Sequence, residues 1–392
     1  MFNAHRGSRL ALATVGAVAA LALGACGGGG ATGTATALPA APDGPLRLKG
    51  ACPDTVVIQT DWSPEAEHGG LYQLLGPDPT VDSEHKRVTG TLAAQGQDTG
   101  VRVQIRAGGP AIGFQTVSSQ LYLDQSITLG QVVTDESVSL SAGQPTTAVL
   151  ATLDLSPQMI MWDPAAHPDW HSIADIGRTD TKVLYFQTST YMQYLLGAGV
   201  LRRGQVDGSY DGSPSTFVAE GGKIAQQGFA TNEPYLYQEK LAQWHKPVKF
   251  QLVSETGYPV YPALSIRSAQ KAAQAPCLRK LVPIIQRAQV DYLRSPEAAN
   301  KLITSLSAKY NLGQSYTAAQ AKFSVEQQLA LHIAGNQPGT RTLGGFDQAR
   351  LQRVIDILRP ILAAQGKALG PGLGPAEIAT SEFIDPSIGL AP

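Results

Sequence analysis

The chain has 392 residues and a net charge of −1, with 43% hydrophobic and 16% charged residues. Those proportions fit a folded globular protein and exclude an intrinsically disordered chain, while the absence of a basic cluster argues against nucleic acid as a partner. The length exceeds what one core usually organises and suggests two domains.

Residues 1–25 carry Arg6 and Arg9, no acidic residue, an apolar core over 10–23, and then Leu23-Gly24-Ala25-Cys26. A charged start, a short apolar stretch and small residues before a cut form a secretory signal. With cysteine next, the motif resembles a bacterial lipobox, which implies a lipid on Cys26 and a place on the extracytoplasmic face of the cell membrane. The alternative is an uncleaved membrane anchor, but the apolar stretch is shorter than the ~20 residues needed to span a bilayer. GGGGATGTATALPAAPDGP at 27–45 is too poor in apolar side chains to order itself, so residues 26–50 are expected to be a flexible tether. Once Cys26 is assigned to the lipid, Cys52 and Cys277 remain. Two thiols in an oxidising compartment tend to pair; two unpaired buried thiols are the alternative.

The stretch VVIQTDWSPEAEHGGLY at 56–72 is a strand-like run with Asp61-Trp62 at its end, a Pro64 suited to a first helical turn, and Glu67-His68-Gly69-Gly70-Leu71-Tyr72 beyond. A strand end meeting a helix start is where α/β proteins hold ligands. Residues 76–100 are polar and turn-rich, with 88–92 the only expected strand. A strand follows at 101–105, then Ala107-Gly108-Gly109-Pro110, either a plain turn or a loop presenting backbone N–H groups at the start of a helix running through 125. The next strand, 127–133, ends at Thr134-Asp135, and 147–153 and 157–162 are again apolar and β-compatible. After a loop and short helix at 163–177, a second strand–helix series opens at 181–187, with Ser189-Thr190 capping a helix that begins at Tyr191. A turn cluster at 207–214 includes Ser213; a strand at 224–230 leads to Thr231-Asn232-Glu233-Pro234-Tyr235 and a helix running to 244; then comes a strand at 248–253. GYPVYPALSI at 257–266 is a connecting strand that returns the chain to the first domain. Helices are expected at 276–294, 295–306, 317–335 and 346–365, the last burying Val354, Ile357, Leu358 and Ile361 on one face, and 368–392 as a tail laid over the surface.

In order and spacing, the Leu-Gly-Ala-Cys signal, VVIQTDWSPEAEHGGLY, QQGFATNEPYLYQEK and GYPVY resemble the extracytoplasmic solute-binding proteins of ABC importers. Within them they resemble the NMT1/THI5-like group, which handles thiamine pyrimidine precursors, nitrate, sulfonates and taurine. The resemblance spans roughly residues 55–306. It implies an α/β, two-lobed periplasmic-binding-protein-like (type II) fold with two crossover strands at the hinge and a helical C-terminal part. Lobe 1 would comprise 51–155 and 258–365, lobe 2 156–257, and the tail 366–392.

The ligand set implied is Asp61, Trp62, His68, Tyr72, Gly108, Gly109, Asp135, Ser189, Thr190, Tyr191, Ser213, Glu233 and Tyr235. Trp62 and Tyr235 would stack a planar ligand from opposite lobes, and Glu233 would accept from an exocyclic amine or pair with a cation. Gly108, Gly109, Ser189, Thr190 and Ser213 would offer donors to an anion. Glu65 departs from the asparagine usual in the pyrimidine-binding members. The expected partners are a small planar nitrogenous or anionic solute, a permease with its ATPase, and the membrane through the lipid; the protein is expected to be a monomer without cofactor or metal. A ligand-sensing lipoprotein is the alternative. An enzyme is disfavoured: G-x-S-x-G and P-loop spacings are missing, as is the cysteine-rich motif of the group's pyrimidine-synthesising branch.

Overall fold

A computed structural model describes residues 37–313 and 315–391, so the leader and Cys26 lie outside the described residues. Twelve strands follow in chain order among them: β1 (Thr55–Gln59), β2 (Thr80–Asp82), β3 (Arg87–Ala94), β4 (Gln97–Arg106), β5 (Leu129–Val133), β6 (Thr146–Ala151), β7 (Gln158–Trp162), β8 (Val183–Leu184), β9 (Val206–Asp207), β10 (Ala225–Phe229), β11 (Lys249–Leu252) and β12 (Pro262–Arg267). They form a seven-stranded sheet, β2-β3-β4-β1-β5-β12-β6, and a five-stranded one, β11-β7-β10-β8-β9. The chain crosses between the sheets twice, at 152–157 and at 253–261.

Central position explains the composition of β1. It pairs in parallel with β4 and β5, Ile58 lying opposite Ile105 on one side and Leu129 on the other, and four of its five residues are buried. A parallel strand covered on both faces reads as one continuous apolar run. After it, Gly69 and Gly70 let a short helix (Gly69–Tyr72) approach the long helix Lys271–Arg294 closely. A Cβ on Gly69 would fall 1.9 Å from the Tyr292 ring.

Arg350 ties the two crossovers together. Its guanidinium donates to the carbonyls of Pro259 (2.8 Å) and Val260 (2.9 Å) and to Asp154 Oδ1 (3.3 Å), and stacks 3.6 Å from the Tyr261 ring centroid. Cys52 and Cys277 are joined by a disulfide, linking the approach to β1 with the long helix.

Five expectations need correction. Residues 76–100 are mostly sheet: β3 and β4 form a hairpin, and strict alternation along β3 buries Val88, Gly90, Leu92 and Ala94 while its intervening, mainly polar residues face outward. Residues 37–50 are docked, not free: Ala41 and Leu48 donate backbone hydrogen bonds to Asp98 and Thr99, and Leu48 is fully buried. The helix after Glu233 stops at Lys240, its last five residues wound as a π-helix, because Trp244 turns back to pack on Phe217. The C-terminal stretch is core as well as cover. Ala379 bridges Ala148 at the edge of β6, and Ile378, Phe383 and Ile388 are buried. The long helix also begins at Lys271, ahead of Pro276.

Candidate functional site

A cavity of about 220 Å³ lies between the two sheets, lined by loops from both and by both crossovers. From the seven-stranded sheet come Asp61, Trp62 and Glu65 after β1, Gly109 and Phe114 after β4, and Asp135 and Glu136 after β5. From the five-stranded sheet come Phe186, Ser189, Thr190 and Tyr191 after β8, Tyr210 after β9, and Asn232 and Glu233 after β10. Ser156 and Tyr258 belong to the crossovers. Ligands in α/β proteins collect at strand ends for the same reason these residues do: the loops there converge while the sheets stay rigid.

One wall is aromatic. Trp62 meets Phe186 across the cleft with ring centroids 5.1 Å apart; Phe114 lies 6.0 Å from Trp62 and 5.6 Å from Phe186, and Tyr210 lies 4.9 Å from Phe186. Two local features hold this wall. Gly109, at φ +56, would place a Cβ 2.4 Å from the Trp62 ring, so only glycine lets the loop lie on the indole. Phe114 adopts φ +57, an uncommon conformation for a bulky residue, and remains 37% exposed.

The other wall is acidic. Asp135 accepts from the backbone N–H of Glu136 and from the Tyr258 hydroxyl, both at 2.9 Å; burial nevertheless pushes its carboxyl up to about 6. Glu136 accepts from the Ser118 N–H (3.0 Å) and hydroxyl (2.6 Å), and burial, with repulsion from Asp135 and Asp61, raises it to about 7. Glu233 accepts from the Phe229 N–H at 2.6 Å and is raised to about 7, mainly by burial and then by Glu67. Glu65 is raised well above the usual carboxylate range by burial and by Glu67, Asp61 and Glu233, and its Oε1 has no hydrogen-bond partner. No lysine, arginine or histidine among the described residues lines the cavity. Nor does any group of three or more histidine, cysteine or acidic side chains among them come together as a metal site.

Of the residues expected at the site, Asp61, Trp62, Gly109, Asp135, Ser189, Thr190, Tyr191 and Glu233 line the cavity. The others do not. His68 is buried behind it, its Nε2 lying 2.7 Å from Asp61 Oδ1, where it orients that carboxylate. Tyr72 is core, on the helix packed against Lys271–Arg294. Gly108 donates its N–H to the Trp62 carbonyl at 2.9 Å, leaving nothing for an anion. Ser213 bonds Ser215 and Asp211 within its own turn. Tyr235 does not face Trp62: it packs on Phe323, 5.5 Å away, because the helix opening at Glu233 points it toward the helix Ala318–Ala330. Phe186 occupies the place expected for it. Phe114, Phe186, Tyr210 and Glu136 were missed; an aromatic after a glycine and an aromatic inside DGSYDGSP were the available signals.

No protein-family model matches the chain, and no curated protein matches it. Solved structures do. The periplasmic aliphatic sulphonate binding protein SsuA of Escherichia coli superposes with a TM-score of 0.52 at 14% identity, over 81% of this chain and 90% of that one. The alkanesulfonate-binding protein SsuA of Xanthomonas axonopodis pv. citri, bound to MOPS, gives a TM-score of 0.52 at 13% identity, over 84% and 98%. A Bordetella bronchiseptica protein gives 0.52 at 14% identity, over 84% and 96%. With two α/β sheets, two crossovers and a cavity between them, the chain has the two-lobed periplasmic-binding-protein fold.

Proposed function

We propose that this protein is the solute-binding component of an ABC importer, held at the extracytoplasmic face of the membrane by a lipid on Cys26, and that it captures a small planar nitrogenous solute between its lobes. The thiamine-pyrimidine-precursor class is the starting point for a ligand search. The observation that carries the reading is the cavity between the sheets, with an aromatic wall contributed from both sides and crossovers on which the lobes can turn. A flat solute is suited to Trp62 and Phe186, and polar groups on its rim are suited to the carboxylates. The acidic lining favours a nitrogenous solute over nitrate or a sulfonate, which would meet Asp61, Glu65, Asp135, Glu136 and Glu233 without a facing cation. Partners follow from the role: a permease and its ATPase, with the protein delivering its solute as a monomer. Binding is favoured over catalysis because the buried acids face aromatic rings and no activated nucleophile stands among them.

Thermal-shift screening against aminopyrimidines, nitrate, sulfonates and related planar solutes tests the reading. A true ligand at a hundredfold excess over its Kd stabilises by about 2.7 kcal/mol. The melting temperature should rise with at least one solute, and Trp62→Ala should remove that rise. A broad panel without a hit contradicts the reading, and a hit unaffected by Trp62→Ala contradicts the placing of the ligand on the indole.

A further inference from the structure

We propose that the solute is an organic cation: a flat body whose charged N–H group is received by Glu65 from one side of the cleft and by Glu233 from the other. This rests on the binding-protein reading above and narrows it to a ligand charge. Glu65 is 4% exposed, lines the cavity, and leaves Oε1 without any hydrogen-bond partner. A buried carboxylate oxygen without a partner, on a residue that lines a cavity, is costly by itself and calls for a donor. Hydroxyl or amide donors would meet that need, but the surroundings select charge. The groups facing Glu65 are the carboxyls of Asp61, Glu67 and Glu233, together with the phenols of Tyr72 and Tyr316. A neutral donor leaves that repulsion in place; a cation relieves it. Trp62 and Phe186 line the same cavity, and aromatic rings attract a cation. A bare metal ion fits less well, since the acids are spread along the wall and do not converge on one point.

Proton linkage follows. Buried carboxyls that hold protons in the empty cleft must release them when a cation binds, so cation affinity rises with pH, whereas a neutral ligand that accepts from a protonated carboxyl is held more weakly as pH rises.

Isothermal titration of the full chain with benzamidine, its neutral isostere benzamide, and benzenesulfonate separates these cases. Benzamidine stays cationic across the range used. It should bind at least tenfold more tightly than benzamide, release protons to the buffer, and tighten between pH about 6 and about 8; benzenesulfonate should not bind. Glu65→Gln should weaken benzamidine at least tenfold and benzamide by less, with Glu233→Gln as the second variant should the first not fold. The proton count is measured on the unaltered protein and needs no variant. Equal or tighter binding of benzamide or benzenesulfonate overturns the charge assignment and leaves the solute-binding reading standing. Failure of all three, beside a hit in the wider solute panel, does the same; failure of every compound in both sets overturns both.

Discussion

The ligand-free protein is expected to lose several kcal/mol of stability between about pH 5 and about pH 8, the reverse of the usual trend for carboxylates held in salt bridges. The cleft acids are shifted upward: Asp135 to about 6, Glu136 and Glu233 to about 7, Glu65 well above its ordinary value, and Glu67 behind them raised as well. A carboxyl whose folded pKa is raised binds more protons folded than unfolded across the interval between the two values. Its contribution is therefore complete below the unfolded pKa of about 4.3 and is lost as pH climbs through the folded value. For Glu233, moving from 4.5 to about 7 at about 1.4 kcal/mol per unit, the loss is about 3 kcal/mol. Asp135 and Glu136 repel each other, so their contributions do not simply add. Urea melts at the two pH values measure the change. A flat profile would mean that the acids are hydrated and ionised, contrary to their burial.

Replacing Cys52 and Cys277 by serine is expected to remove up to about 5 kcal/mol, the chain-entropy value for a loop of this length, since 225 residues separate the two sulfurs. The bond has a specific duty. It fastens residues 37–54, which otherwise hold to the body through a bridge and backbone hydrogen bonds to β4, the buried Leu48 and two hydrogen bonds from Lys280, covalently to the long helix. Without it, this segment should fray first, and hydrogen exchange at Leu48 and Cys52 should accelerate with the global loss. Comparing denaturation midpoints of the unaltered protein and the double serine variant measures the effect; a loss below about 1 kcal/mol would mean that the unfolded chain is not constrained by the bond.

The frame was legible because it depends on local pattern. Buried strands announce themselves as apolar runs, and the restart near Thr181 falls within the second sheet, which the chain has already entered at β7. The cleft was half legible. Asp61 and Trp62 stand at the end of β1 and Glu233 just beyond β10, where a strand end alone predicts a site. Its aromatic wall was not legible, since Trp62, Phe114, Phe186 and Tyr210 come from four loops and meet only through the packing of two sheets. Tyr235 misled for a related reason: one helical turn decides whether a ring enters the cleft or lies on Phe323. Glu65 was visible as a departure from an expected asparagine, but its weight came only from burial among other acids. The segment before β1 looked too rich in glycine, proline and alanine to be ordered and the tail looked like surface cover, yet a few apolar anchors, Leu48 in the first and Phe383 and Ile388 in the second, dock them into the core.

Whether a flat cation sits in the cleft is tested most directly by a crystal structure of the benzamidine complex at about pH 8, where the acids are free to ionise on binding. The ring is expected against the aromatic wall of Trp62 and Phe186, with its amidinium within hydrogen-bond distance of the Glu65 carboxylate. An empty cleft, or a ring bound away from Glu65 and Glu233, would contradict it.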